Sequence, residues 1–132
     1  MTMMETVTRA SSVPGPEGPA GVEREAAEVA AALFRSMGDP TRVVILQHLL
    51  LGEHNVRELT EHLGLAQSTV SAHLACLRDC GMVDSRPVGR ASLFSVTHPE
   101  QVLALLRSAE QLLAVAGDAV ALCPSGRPGG AA

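Results

Sequence analysis

The chain is 132 residues long, enough for one modest hydrophobic core and too short for two. A content of 46% hydrophobic against 18% charged residues excludes a disordered class, and two Phe with no Trp or Tyr leave no aromatic platform on which single-stranded nucleic acid would stack. The net charge of −4 excludes the broadly basic surface of a protein that coats nucleic acid.

That charge is uneven. Residues 66–95 hold Arg78, Arg86 and Arg90 against Asp79 and Asp84, a net of +1. Residues 1–35 hold three Arg against five Glu, a net of −2. A local reader of duplex DNA is compatible with this distribution. No run of ~18 apolar residues is present, so no membrane span is expected. The N-terminus lacks a basic-then-apolar signal layout, and three cysteines are an odd count. Both features lead us to expect a cytoplasmic chain with reduced thiols rather than a disulfide framework.

In chain order, residues 1–21 contain Ser11-Ser12-Val13-Pro14-Gly15-Pro16-Glu17-Gly18-Pro19 and are expected to be disordered. Residues 22–36 form an Ala-rich first helix with acids in its first turn and Val29, Leu33 and Met37 at four-residue spacing. Asp39 then Pro40 is an N-cap followed by a first-position proline, opening a second helix that Gly52 ends. Asn55 with Glu58 three residues on has the form of a capping box, starting a short third helix that stops at Gly64. A fourth helix runs from about Gln67 to Cys80, and the Gly64-Leu65-Ala66 turn makes helices three and four a helix-turn-helix.

Met82 to Arg86 and Ala91 to Val96 alternate around Pro87-Val88-Gly89-Arg90, which predicts a β-hairpin with a basic tip. From Pro99 a last helix carries Val102, Leu105, Leu106, Ala109, Leu112, Leu113, Ala116 and Val120. This stripe is too long for so small a body to cover, so it is expected to meet a second copy of itself beside the first helix. The domain division expected is therefore 1–21 disordered, 22–122 a folded domain that dimerises, and 123–132 a tail that carries Cys123.

This order of elements, with Asp39-Pro40-Thr41-Arg42 opening the second helix, Glu58-Leu59 in the third and QSTVSAHLACLRDCGMV at 67–83, resembles the ArsR/SmtB family of metal-responsive repressors over roughly residues 25–122. The resemblance implies a mainly α winged helix-turn-helix with a small β-hairpin, homodimeric through its first and last helices. It also implies binding of double-stranded operator DNA in the metal-free form and release by metal. Cys76 and Cys80 in the recognition helix, with Cys123 near the C-terminus, are similar to the pattern of the cadmium- and lead-sensing CmtR branch.

The fourth helix can be read independently of that likeness. Unrolled at about 100° per residue from Val70, it places Leu74 and Leu77 at about 40° and 340°, a buried stripe. Ser71, Ser68 and Ala72 fall at about 100°, 160° and 200°, a small polar face suited to a major groove. The resemblance places Gln67, Ser68, Thr69 and Ser71 where family members touch DNA, and Arg86 and Arg90 on a wing that meets phosphate.

Cys76 and Cys80, one turn apart with Cβ atoms ~6 Å from each other, are placed to share one soft ion and poorly oriented for a disulfide. Cys123 is the candidate third ligand, from its own or the partner subunit. Three thiolates favour Cd(II) or Pb(II), with As(III), Hg(II) and Zn(II) as alternatives. His73 reads as a packed structural histidine, while His48, His54, His62 and His98 look scattered and are assigned nothing. Two other readings use the same thiols: a redox-sensing winged-helix regulator, and a small metal carrier that ignores DNA. An enzyme is not expected, because no oriented base or cleft accompanies the thiols.

Overall fold

The computed structural model describes residues 19–124. The element order is α1 (Pro19–Met37), α2 (Pro40–Leu51), α3 (Val56–Leu63), α4 (Gln67–Asp79), β1 (Val83–Val88), β2 (Ala91–Val96) and α5 (Pro99–Ala116). The expectation of disorder over 1–21 falls on residues outside the described range up to 18; Pro19, Ala20 and Gly21 are helical. Because α1 starts three residues earlier than expected, Glu23 and Glu25 lie beyond its first turn, which holds no acid. The chain divides into two units, the first ending at Arg35 and the second beginning at Ser36. The first unit is helical over its described part and exposes Val22, Val29 and Phe34.

In the second unit each helix starts where its cap chemistry dictates. The Asp39 carboxylate accepts the N–H groups of Thr41 at 2.8 Å and Arg42 at 3.3 Å, and Pro40, which has no N–H to satisfy, takes the first position of α2. At α3 the Asn55 side chain accepts the Glu58 N–H while the Glu58 carboxylate accepts the Asn55 N–H, each at 2.8 Å. Gly64 closes α3 at φ +68°, a left-handed conformation that side chains with a Cβ adopt at a cost.

α2, α3, α4 and the hairpin enclose the core. Ile45, Leu46, Leu59, Val70 and Leu77 are fully buried, and Leu49, Leu74, Met82, Val83, Phe94 and Val96 join them. The stripe read from α4 is therefore the buried one, and Val102 and Leu106 bring α5 into the same core.

β1 and β2 pair antiparallel from Val83↔Val96 to Val88↔Ala91. The turn is tighter than expected: Pro87 and Val88 belong to β1, leaving Gly89 and Arg90 as the two-residue link. His54, between α2 and α3, adds a bridge to this hairpin. Its N–H donates to the Phe94 carbonyl at 3.1 Å, and the Phe94 N–H donates back at 2.8 Å. Mostly helical, with a helix-turn-helix followed by a two-stranded wing, the chain is a winged helix-turn-helix.

α5 ends at Ala116 and Gly117, not at Val120. Gly117, at φ +103°, turns the chain, and residues beyond it fold back. The Leu122 carbonyl accepts a hydrogen bond from the Gln47 amide at 2.6 Å, and the Glu110 carboxylate accepts the N–H groups of Leu122 and Cys123. The segment leading to Cys123 is thus held by α2 and α5. Residues 125–132 of the expected tail lie outside the described range.

Candidate nucleic-acid interface and thiol site

The first turn of α4 carries Gln67, Ser68 and Thr69, all exposed, with Ser71 exposed one turn on. Ala66 occupies the cap position and supplies no side-chain acceptor, so the amide end of α4 is open to an anion. Ser68 and Ser71 lie on the side of α4 turned away from Val70, Leu74 and Leu77, which anchor the helix in the core, while Gln67 is exposed at the start of the helix.

Of the two candidate wing residues, Arg90 stands at the hairpin tip and is exposed. It lines a hollow of about 380 Å³ together with Gln67, Asn55, Val56, Arg57, Ala91, Ser92 and Phe94. Wing and recognition helix therefore share one concavity, with Arg57 added to its rim. Arg86 differs: its Nε and Nη2 donate to the two carboxylate oxygens of Glu53, each at 2.9 Å. The hydrogen bond from Arg86 holds the Glu53 carboxyl below its ordinary range, and Glu53 raises the Arg86 guanidinium in turn. Glu53 is a participant the sequence reading did not name.

The thiols are free and occupy three settings. Cys76 is half-buried on α4, its Sγ 4.0 Å from the Ser36 hydroxyl. Cys80 lies exposed just past the last residue of α4, its Sγ 3.3 Å from the Leu77 carbonyl. The Cys80 N–H still donates to the Cys76 carbonyl at 3.3 Å, so the one-turn spacing of the pair is kept. Cys123 is half-buried, its Sγ 3.9 Å from the Leu103 carbonyl of α5. Burial, then the neighbouring Glu110 carboxylate, pushes the Cys123 thiol up, with Arg107 opposing weakly. Among the described residues of one chain, no three His, Cys, Asp or Glu side chains form a group ready to hold a metal ion.

His73 is half-buried and ordered. Its Nδ1 lies 3.2 Å from Arg42 Nη1 and its Nε2 3.9 Å from Asp39. The other histidines do not behave as expected. His48 of α2, His54 of the bridge and His62 of α3, which look unrelated in sequence, meet with ring centroids 5.2 to 6.2 Å apart. Burial, then the charges of His62 and His54, lowers the His48 imidazole below its ordinary range. His98 stands outside this group, at the cap position of α5.

Residues 39–85, from the cap of α2 into β1, match the model of the bacterial regulatory protein arsR family. The chain is 41% identical over 88 residues to the HTH-type transcriptional regulator CmtR of Mycobacterium tuberculosis, covering 67% of this chain and 75% of that protein. The chain belongs to the arsR family.

A probable mercury resistance operon repressor from Streptomyces lividans is 44% identical over 72 residues. That match spans 54% of this chain and 58% of the repressor, less than two thirds of its length. The crystal structure of NolR from Sinorhizobium fredii superposes with a TM-score of 0.65 at 26% identity, covering 89% of this chain and all of that one. CmtR is a transcriptional regulator and the Streptomyces lividans protein a probable operon repressor. No helix among the described residues is long and apolar enough to cross a membrane.

Proposed function

We propose that this chain is a metal-sensing transcriptional repressor that binds operator DNA as a metal-free homodimer in the cytoplasm and lets go when cysteine thiolates take a soft ion, Cd(II) or Pb(II). The observation that carries this reading is the placement of Cys76 and Cys80 one turn apart at the C-terminal end of the same helix whose N-terminal end presents Gln67, Ser68, Thr69 and Ser71. A ligand at one end of so short a rod changes how the other end lies in a groove.

The domain assignment of 22–122 as the DNA-binding and dimerisation part belongs to this proposal. Leu112 and Val115 of α5 and Val29 and Phe34 of α1 are exposed in the single chain, and these are the helices the reading assigns to the dimer. Gln67, Ser68, Thr69 and Ser71 read base edges and phosphate, while Arg90 and Arg86 meet the backbone.

The donor set fits a thiophilic ion: three free thiols, two of them with fixed spacing. Cys123 is held by its own α5 and α2 through Glu110 and Gln47. We therefore assign the third thiolate to the partner subunit's tail, which couples the ion to the dimer geometry. A bound soft cation supplies the charge that lets these thiols ionise together.

The test is an anaerobic titration of reduced protein with Cd(II) and Pb(II), following ultraviolet thiolate-to-metal charge-transfer bands in wild type and Cys123→Ser. Saturation at one ion per subunit, with a changed spectrum in the variant, is the expected result. Absence of these bands at equimolar metal overturns the thiolate site and leaves a winged-helix regulator with another signal, peroxide oxidation of the thiols foremost.

A further inference from the structure

Three imidazoles meet on the side of the fold where α2, the His54 bridge and α3 come together. His48 and His62 stack with centroids 5.2 Å apart and planes 25° from parallel, and His54 stands edge-on to both, at 6.2 Å and 5.4 Å. The His54 Nδ1 lies 2.8 Å from the Gly52 carbonyl, so this nitrogen carries the proton and donates it. That fixes the tautomer and leaves the Nε2 lone pair free, the arrangement in which metal-ligating histidines are held.

We propose that His48, His54 and His62 form a second metal site, separate from the cysteines, that takes one borderline divalent transition ion of the Zn(II), Co(II) or Ni(II) class. The spacing matches the chemistry. With metal–nitrogen bonds of ~2.0–2.1 Å, the ring centroids of a tetrahedral histidine trio stand roughly 5 Å apart. Two of the three separations are near that value, and the third is about 1 Å longer. The His48 and His62 rings stack rather than converge, and no closed ligand group exists among the described residues. Closing it requires turning the His62 ring, which is exposed and whose terminal torsion is soft. Imidazoles without a thiolate suit these ions rather than Cd(II) or Pb(II), so the two sites differ in selectivity.

The site lies at the base of the wing. The His54 backbone is paired on both sides with Phe94 of β2, so an ion joining His54 to α2 and α3 ties the wing to the helix-turn-helix. The inference does not depend on the thiolate reading, and its test removes the thiols.

The experiment is titration of the untagged full-length Cys76→Ser, Cys80→Ser, Cys123→Ser chain with CoCl2, following visible ligand-field bands and the melting temperature. One Co(II) per chain, a raised melting temperature, and at least about tenfold weaker binding in the same chain carrying His62→Gln are expected. His62 is exposed, so its substitution leaves the fold intact, as circular dichroism will verify. Should the thiol-free chain fold poorly, the wild-type chain is titrated instead, and His62→Gln should remove one Co(II) per chain from the total. No binding at equimolar CoCl2, or binding that His62→Gln weakens less than about tenfold, overturns the proposal.

Discussion

The Arg86 guanidinium and the Glu53 carboxylate form a two-point ion pair, both hydrogen bonds 2.9 Å long, across 33 residues of sequence. The wing thus holds its arginine in a planar, charge-matched grip before any phosphate arrives. A phosphate that engages Arg86 must compete with Glu53.

Glu53→Gln should therefore strengthen operator binding at low salt and steepen its salt dependence. Freeing one cation per chain for phosphate adds about 0.9 to the slope of log K against log salt for each chain engaged. Fluorescence anisotropy at several salt concentrations measures this, and an unchanged slope would show that Arg86 does not meet the backbone. The folded Glu53 pKa is depressed, so the pair's contribution is in place above the ordinary value of 4.5 and is lost as pH falls through the folded value.

Reading and folding should separate cleanly on α4. Leu77 is fully buried, and Leu77→Ala should cost about 2–5 kcal/mol of stability in a denaturant melt. Gln67 is exposed in the first turn, and Gln67→Ala should change stability by less than about 0.5 kcal/mol. Its effect should appear as lost discrimination between operator sequences, about 1–3 kcal/mol if the amide reads a base edge.

Glu110 holds the segment that presents Cys123, accepting the N–H groups of Leu122 and Cys123. Glu110→Ala should loosen this segment and weaken Cd(II) binding by about 10–100-fold, as loss of an orienting partner does at metal sites. Metal-free operator binding should be unaffected. Equal Cd(II) affinity in variant and wild type would remove the segment's role.

Asp39 caps α2 and lies beside His73. Burial raises its pKa, but the N–H groups of Arg42 and Thr41 and the charges of His73 and Arg42 outweigh this, so the net shift is downward. A depressed carboxylate stabilises the fold above its unfolded value, near 3.8, and the contribution disappears as pH drops through the folded value. Asp39→Asn should flatten the fall of stability between about pH 5 and pH 3, which thermal melts across that range will show.

The helix starts were legible because their signals are local. Asp39-Pro40, and Asn55 with Glu58, are cap chemistry that acts within four residues, and the structure uses both. The apolar stripe Val70, Leu74, Leu77 was legible because helical periodicity alone assigns it a face. The end of α5 was misread because Val120 continues the apolar spacing, whereas Gly117 overrides it by turning the backbone. The Glu53–Arg86 pair and the histidine trio were invisible for another reason. His48, His54 and His62 lie on two helices and the loop between them, so no single helix or strand face relates them. Only the packing of α2 and α3 on the same strand, β2, brings them together. The same holds for the hollow that joins Gln67 to Arg90.

The measurement that bears most directly on the central claim is operator binding by fluorescence anisotropy, with and without stoichiometric Cd(II), for wild type and Cys80→Ser under anaerobic conditions. Wild type should lose operator affinity on metal addition, by up to about 150-fold for a coupling near 3 kcal/mol, and Cys80→Ser should bind the operator metal-free as wild type does while losing that response. Operator affinity that Cd(II) leaves unchanged in wild type, or lowers equally in both proteins, would contradict the account.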